Sequence, residues 1–292
     1  MKPFTGLEKI TRTDVPLGQY TWFGIGGPAD YLIEPETLEQ LSDVAVRCRE
    51  NDIPVHVLGG GANLLIDDAG VRGAVIRLCR GEFAEVTLTP EGVRAGAGVD
   101  MGKLVLRCVR EGLSGLEGLT GIPGTVGGCV RMNAGGKFGD IGSAVETVDV
   151  MTREGDPFQR TRDDLAFAYR STNISSRFIT GATFRLTPDD PHRIVKQVKQ
   201  IWIYKKNTQP LGAGSAGCVF KNPRGMSAGA LIDKAGFKGK RSGGAVVSEK
   251  HANFVIAEDG ATSADMLNLI NDIRETIYKQ DEVYLELELE VW

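Results

Sequence analysis

Histidine is scarce in this chain: three in 292 residues, and His56, His192 and His251 stand at no metal-ligand spacing from one another or from a cysteine. That pattern argues against a histidine-based metal centre, and no metal is expected. The five cysteines, Cys48, Cys79, Cys108, Cys129 and Cys218, are odd in number and form no C-x-x-C pair. A zinc site and a disulfide framework are both disfavoured, and most of these thiols read as small buried hydrophobes. No apolar run reaches the roughly eighteen residues of a membrane span, and the N-terminal stretch lacks the apolar core of a secretory signal. Neither charge sign dominates, since 34 basic and 38 acidic side chains leave a net charge of −4 and are well mixed. Nucleic acid and membrane surfaces are therefore not the expected partners, and the cytoplasm is the expected compartment. The 41% hydrophobic content supports substantial cores in a chain long enough for two domains.

Glycine, by contrast, is abundant, with 38 residues, and seven of them fall between Gly121 and Gly139 in GIPGTVGGCVRMNAGGKFG. A shorter run, PVHVLGGGANLLID from Pro54 to Asp67, repeats the feature after an apolar strand pattern. Glycine costs backbone entropy wherever it is not needed, so such density implies close approach to the main chain. Successive N–H groups in a tight glycine turn form a concave anion site, and two such loops suit a large phosphate-bearing ligand. The competing reading is that each run is a set of tight turns and strand corners.

Periodicity places a helix over 35–50, with Leu38, Leu41, Val44, Ala45 and Cys48 on one face, then strands at PVHVL and GAVIRL. Short alternating runs come next (FAEVTLT, GVRAGAGV), then a helix from about Asp100 to Arg110 with Asp100 as its cap. After the long glycine loop come the strand VETVDVMT, a hairpin turn at Glu154-Gly155, and the strand FITGATFRL. Asp190 opens a helix carrying Ile194, Val195, Val198, Ile201 and Trp202 as far as Lys206, where a domain boundary is expected. Ser227 to Ala235 reads as a helix stopped by Gly236, AVVS and NFVIAE as strands, and Thr262 with Asp265 as a capping box for LNLINDIRETIYK. The closing EVYLELELEVW alternates as a strand. His56, between Val55 and Val57, and His192, at the helix entrance, read as structural.

Gly212-Ala213-Gly214-Ser215-Ala216-Gly217 fits G-x-G-x-x-G, with Asp233 about twenty residues on. A dinucleotide-binding turn must come after a buried strand and open a helix, whereas polar KKNTQPL precedes this one and Pro223 interrupts any helix beyond it. The stretch reads instead as a loop entering a short strand, Cys218-Val219-Phe220.

LGGGANLL, GLTGIPGTVGGCVRMNAGG, AYRST, GSAGCVFKNP and VYLELEL, in that order, closely resemble the UDP-N-acetylenolpyruvoylglucosamine reductases (UDP-N-acetylmuramate dehydrogenases), flavoenzymes of peptidoglycan precursor synthesis. The likeness runs from TWFGIGGPAD near Thr21 through AGALIDKAGFKGKRSGGAVVSEKHANFVI to the last strand. It implies an α+β fold: a vanillyl-alcohol-oxidase-type FAD-binding region in two subdomains, 1–80 and 81–206, and an α+β substrate-binding domain over 207–292. FAD is expected between the subdomains, noncovalently, because no histidine follows GGGAN or sits in the second glycine loop. Cofactor contacts are expected from Gly59, Gly60, Gly61, Ala62, Asn63 and Leu64, from Ile122, Pro123, Gly124, Thr125 and Gly128, and from Asn133, Ala134, Gly135 and Gly136. NADPH is the implied hydride donor and UDP-N-acetylglucosamine enolpyruvate the implied acceptor, handled by a monomer.

The resemblance also assigns roles. Hydride addition at C3 of the enolpyruvyl ether builds negative charge on C2 and its carboxylate, which calls for fixed donors and a proton source. Arg170, in AYRST beside Tyr169, matches the family arginine that binds the carboxylate; without the resemblance it reads as a surface ion pair. Glu288 matches the C-terminal acid, although alternation alone leaves Glu286 and Glu290 as equal candidates on a solvent face. Cys218 stands where well-known members carry the proton-donating serine, so a thiol takes the place of an alcohol. Tyr169 is expected at the substrate, and Lys206 and Asn222 to reach the substrate diphosphate or the nicotinamide nucleotide, with Lys205 as a solvent-facing neighbour. Two other readings are a flavin-dependent oxidase of another small alcohol or sugar, and a nucleotide-binding protein without catalysis.

Overall fold

A computed structural model describes residues 3–212 and 214–292. The chain folds into two compact units: residues 1–14, 30–60 and 72–204 form the first, and residues 15–29, 61–71 and 205–292 the second.

In the first unit the chain builds two sheets. One orders the strands Thr11–Pro16, Pro28–Ile33, Val71–Ile76 and Val55–Val57, the last two running parallel, and some of these strands continue into the second unit's segments. The other is antiparallel, in the order Pro157–Thr161, Val145–Met151, Phe178–Arg185, Gly92–Gly96 and Val86–Thr89. The expected hairpin at Glu154-Gly155 joins its first two strands, with Gly155 at φ +92°. Helix Leu38–Glu50 buries Leu41, Val44, Ala45 and Cys48, and Thr37 caps it by accepting the Gln40 N–H at 3.2 Å. Asp100 caps Met101–Arg110 in the same way, accepting from Lys103 at 2.8 Å. One continuous core of alternating strand residues and helix faces, including Phe83, Phe178 and Phe184, holds these layers together.

The glycine-rich stretch is not all loop. Val126–Arg131 forms a short helix with Thr125 at its N-cap. Two adjacent glycines inside it run against helix propensity, which hides it from pattern reading.

Helix Pro191–Thr208 begins where expected, with Asp190 accepting the His192 N–H at 2.9 Å. Its buried face carries Ile194 and Ile201. One assignment reverses here: Lys205 is 7% exposed and Lys206 lies in solvent. Position 205 continues the i, i+4 stripe from Ile201, so the lysine expected outside is the one turned inward.

The second unit contains helix Ala228–Lys234, a three-stranded antiparallel sheet (Arg241–Ser242, Ala245–Val247, Val255–Ala257) and helix Ser263–Asp281 with the expected Thr262–Asp265 capping box. Ile232, Phe237, Val247, Met266, Ile270 and Ile273 are central to its core. Ala213, in the G-x-G-x-x-G match, lies outside the described residues; among the described ones no helix opens after that match before Ala228. The closing segment differs from expectation. Instead of one long strand it is extended chain with a single bridge, Leu287 to Phe220, and a two-residue strand, Glu290–Val291, parallel to Leu64–Leu65. Its partner, Cys218–Lys221, is likewise too irregular for a ladder, because Glu288 and Leu289 both donate to the Val219 carbonyl.

Candidate active site

In the first unit, the end of strand Val55–Val57 and the helix capped by Thr125 bound a cavity of about 100 Å³ lined by Val57, Leu58, Gly59, Thr125, Gly128 and Ile179, among others. Gly59 and Gly60 pack directly on the second glycine loop. A Cβ on Gly59 would sit 2.8 Å from Thr125 Oγ1, and one on Gly60 2.9 Å from Gly124 Cα. Two glycines attributed to ligand approach are thus needed for loop-on-loop packing. At Gly128 a Cβ would meet only Thr125 Oγ1, at 3.6 Å, so the bare main chain there faces open space. Arg131 and Arg177, neither of them singled out from the sequence, bring positive charge to the cavity. The donor set of bare amides and the exposed Arg177 guanidinium fits a diphosphate, and with it a flavin dinucleotide.

Ile122, Pro123 and Gly124 form a half-exposed turn before this helix. Asn133 and Ala134 are buried, and the Asn133 side chain acts as a brace, donating to Ala168 O at 2.9 Å and accepting the Gly142 N–H at 3.0 Å. Gly135 and Gly136 pair with Gly139 and Asp140 in a small hairpin.

Ala168 opens a second hairpin, in which Phe167 pairs with Thr172 and Ala168 with Ser171, leaving Tyr169-Arg170 as its two-residue turn. Arg170 adopts φ +55°, a conformation that costs a non-glycine residue about 1 kcal/mol or more and that a tight two-residue hairpin turn requires. Its Nη2 donates to Gly135 O at 2.9 Å and its guanidinium lies 5.1 Å from the exposed Tyr169 ring. Arg170 and the second glycine loop are therefore joined directly.

In the second unit Gly61, at φ +62°, passes so close to the Tyr20 carbonyl that no Cβ fits. Ala62 is next in the turn, and Leu64 is buried in the pairing with Glu290. Asn63 turns its side chain to the protein, donating to Glu288 O at 2.8 Å, while its own carbonyl accepts the Glu290 N–H at 3.1 Å.

Main-chain bonds set Cys218–Lys221 beside the closing segment: Glu288 N–H to Val219 O at 2.8 Å and Lys221 N–H to Glu286 O at 2.9 Å. On its other side Asn253, 2% exposed, holds the same stretch through three bonds. It accepts the Val219 N–H at 2.9 Å and the Phe220 N–H at 3.0 Å and donates to Phe220 O at 2.8 Å. Sequence reasoning assigned Asn253 no role; its signal was its place inside the HANFVI motif. The three acids now separate. Glu286 and Glu290 are exposed, Glu286 paired with Lys221 at 2.5 Å, whereas Glu288 is half-buried.

Cys218 is half-buried. Burial pushes the Cys48 and Cys108 thiols up to about 11 and Cys129 to about 12, which makes those three chemically quiet. Asn222 accepts the Ala228 N–H at 3.0 Å and so shapes the turn into the next helix.

Residues 29–159 match the FAD binding domain family, and residues 209–292 match the UDP-N-acetylenolpyruvoylglucosamine reductase, C-terminal domain. UDP-N-acetylenolpyruvoylglucosamine reductase 2 of Symbiobacterium thermophilum is 41% identical over 97% of this chain and 92% of its own. The Carboxydothermus hydrogenoformans reductase of the same name is 42% identical over 94% of this chain and 92% of its own. The crystal structure of UDP-N-acetylenolpyruvylglucosamine reductase from Thermus caldophilus superposes with a TM-score of 0.85 at 41% identity, covering 97% of this chain and 99% of that one. Phl p 4.0202, a glucose dehydrogenase, shares the fold alone, with a TM-score of 0.51 at 16% identity over 65% of this chain and 45% of that one.

Proposed function

This chain belongs to the UDP-N-acetylenolpyruvoylglucosamine reductase family, and from that premise we propose how its residues divide the work. The reaction is the NADPH-dependent reduction of UDP-N-acetylglucosamine enolpyruvate to UDP-N-acetylmuramate, a step of peptidoglycan precursor synthesis. When bound, FAD supplies the redox chemistry, taking hydride from NADPH and delivering it to C3 of the enolpyruvyl ether. The main chain at Gly59 and Gly128 and the turn at Thr125 would hold its diphosphate.

Arg170 binds the substrate carboxylate and stabilises the charge that develops on C2, with a permanent charge and planar donors. The positive φ at this position fits a side chain fixed for one task. Glu288, protonated, donates a hydrogen bond to the developing enolate; as a bare carboxylate it would repel it. Cys218 gives its thiol proton to C2 and takes it back from solvent, a role that needs the thiol and not the thiolate. Lys205, turned inward, takes the contact with substrate or nucleotide phosphates expected of Lys206, and Asn222 shapes the adjoining turn. The protein works as a cytoplasmic monomer; no helix among the described residues is long and apolar enough to cross a membrane.

The observation that carries this reading is the main-chain bond from Glu288 to Val219, which sets the segments bearing the acid and the thiol side by side. The experiment is optical. Purified protein should lose its flavin colour on addition of NADPH without oxygen and regain it only when UDP-N-acetylglucosamine enolpyruvate is added. Bleaching followed by recolouring with oxygen but not with the enolpyruvyl substrate would instead favour an oxidase.

A further inference from the structure

The cavity beside Thr125 is electrostatically one-sided. Of its eleven lining residues only Arg131 and Arg177 are charged, and no carboxylate joins them. The two differ in how they are held. Arg131 ends the helix Val126–Arg131 and spends its guanidinium on main-chain carbonyls, donating to Ile174 and Ser176 at 2.5 Å each and to Arg177 at 3.3 Å. It therefore grips the segment that precedes strand Phe178–Arg185 and fixes the backbone under Arg177 itself. Arg177 is exposed at the cavity wall.

The two guanidiniums repel each other. Burial and the charge of Arg177 both lower the affinity of Arg131 for its proton, and the same two causes hold His56 below its ordinary value. Two arginines thus share one small concavity that also presents the bare main chain of Gly59 and Gly128. Like charges brought together at a half-buried site are relieved by an anion between them. A space of about 100 Å³ has room for a diphosphate and not for a whole dinucleotide.

We propose that Arg177 is the side chain that contacts the diphosphate of the flavin dinucleotide in this cavity, and that Arg131 is the positioning residue that aims it there. The inference rests on the FAD reading above and names residues that reading leaves open. The phosphate oxygens accept from the Arg177 guanidinium and from the amides of the glycine turn, while Arg131 stays bonded to carbonyls and contributes through its hold on residues 174–177.

The test uses the full chain stripped of flavin. FAD and riboflavin, which shares the isoalloxazine but carries no phosphate, are titrated by flavin fluorescence into wild type, Arg177→Ala and Arg177→Lys. Arg177→Ala should weaken FAD by about ten- to a hundredfold, the usual loss for one charge-assisted hydrogen bond, with a shallower salt dependence and riboflavin affinity unchanged. Arg177→Lys should recover most of the loss. FAD affinity within twofold of wild type in Arg177→Ala, or an equal loss for riboflavin, would overturn the assignment. Wild type that takes up neither flavin would instead overturn the FAD reading itself.

Positioning by Arg131 is read separately from the His56 titration by NMR in flavin-free protein. Arg131→Met should move the His56 pKa upward, as Arg177→Ala does, because the Arg177 charge drifts away. A destabilised Arg131→Met protein whose His56 titrates as in wild type would show that Arg131 braces the loop without aiming Arg177.

Discussion

The Asn63 side chain donates to the main-chain carbonyl of Glu288 at 2.8 Å, and the Glu290 N–H returns to the Asn63 carbonyl at 3.1 Å. The asparagine of the first glycine loop is thus a clamp on the segment that carries Glu288. Asn63→Ala should cost about 1 kcal/mol in chemical denaturation. It should also slow reoxidation of the reduced flavin by substrate several-fold while sparing reduction by NADPH. Equal slowing of both half-reactions would mean that Asn63 serves the cofactor and not the acid.

Cys218→Ala should leave reduction by NADPH near wild type and depress substrate-driven reoxidation by about a hundredfold or more, the scale of a lost general acid. Cys218→Ser should retain much of the activity and lose any sensitivity to mild peroxide, because an alcohol does not enter the sulfenic acid ladder. A single-turnover rate in the alanine variant equal to wild type would remove Cys218 from the chemistry.

Lys205 is buried and Lys206 exposed on the same turn of helix. Steady-state kinetics of the two alanine variants should therefore differ. Lys205→Ala should raise the substrate or NADPH KM at least tenfold, and Lys206→Ala should change it less than threefold. The reverse order would return the phosphate contact to Lys206.

His251 links pH to the frame behind Cys218. Its Nδ1 accepts the Asn253 N–H at 3.3 Å, and burial, then the charge of Lys238, holds its pKa below the ordinary 6.5. Below pH 6.5 the unfolded chain binds the proton before the folded one, so stability is fully present above that value and declines as pH falls toward the folded pKa. His56 acts in the same direction. Urea midpoints measured between pH 7.5 and 5 should fall with pH, and His251→Gln should flatten the slope. An unchanged slope in that variant would assign the pH dependence to other groups.

Much of this architecture is legible in the chain because local and global signals agree. Asp100 and Thr262 cap where side-chain chemistry says they should. The helix Val126–Arg131 escapes because its glycines serve packing and main-chain exposure at the expense of propensity. Glycine density marked two loops that meet at the cavity, yet part of it answers to loop-on-loop contact at Gly59 and Gly60. Neither Asn253 nor Arg131 stands out by residue type, because both act through main-chain bonds to residues far away in the chain. Alternation offered three equivalent glutamates at the C-terminus; irregular pairing with Cys218–Lys221 breaks the equivalence by half-burying Glu288 alone.

Half-burial sets Glu288 apart from Glu286 and Glu290, and stopped-flow reoxidation of prereduced enzyme by UDP-N-acetylglucosamine enolpyruvate tests its proposed role as the acid without interference from NADPH binding. Glu288→Gln should slow this step by about a hundredfold or more, while Glu286→Gln and Glu290→Gln stay within about threefold of wild type, as exposed side chains should. A large loss at Glu286 or Glu290 with none at Glu288 would contradict the assignment of the acid and with it the placement of the chemistry beside Cys218.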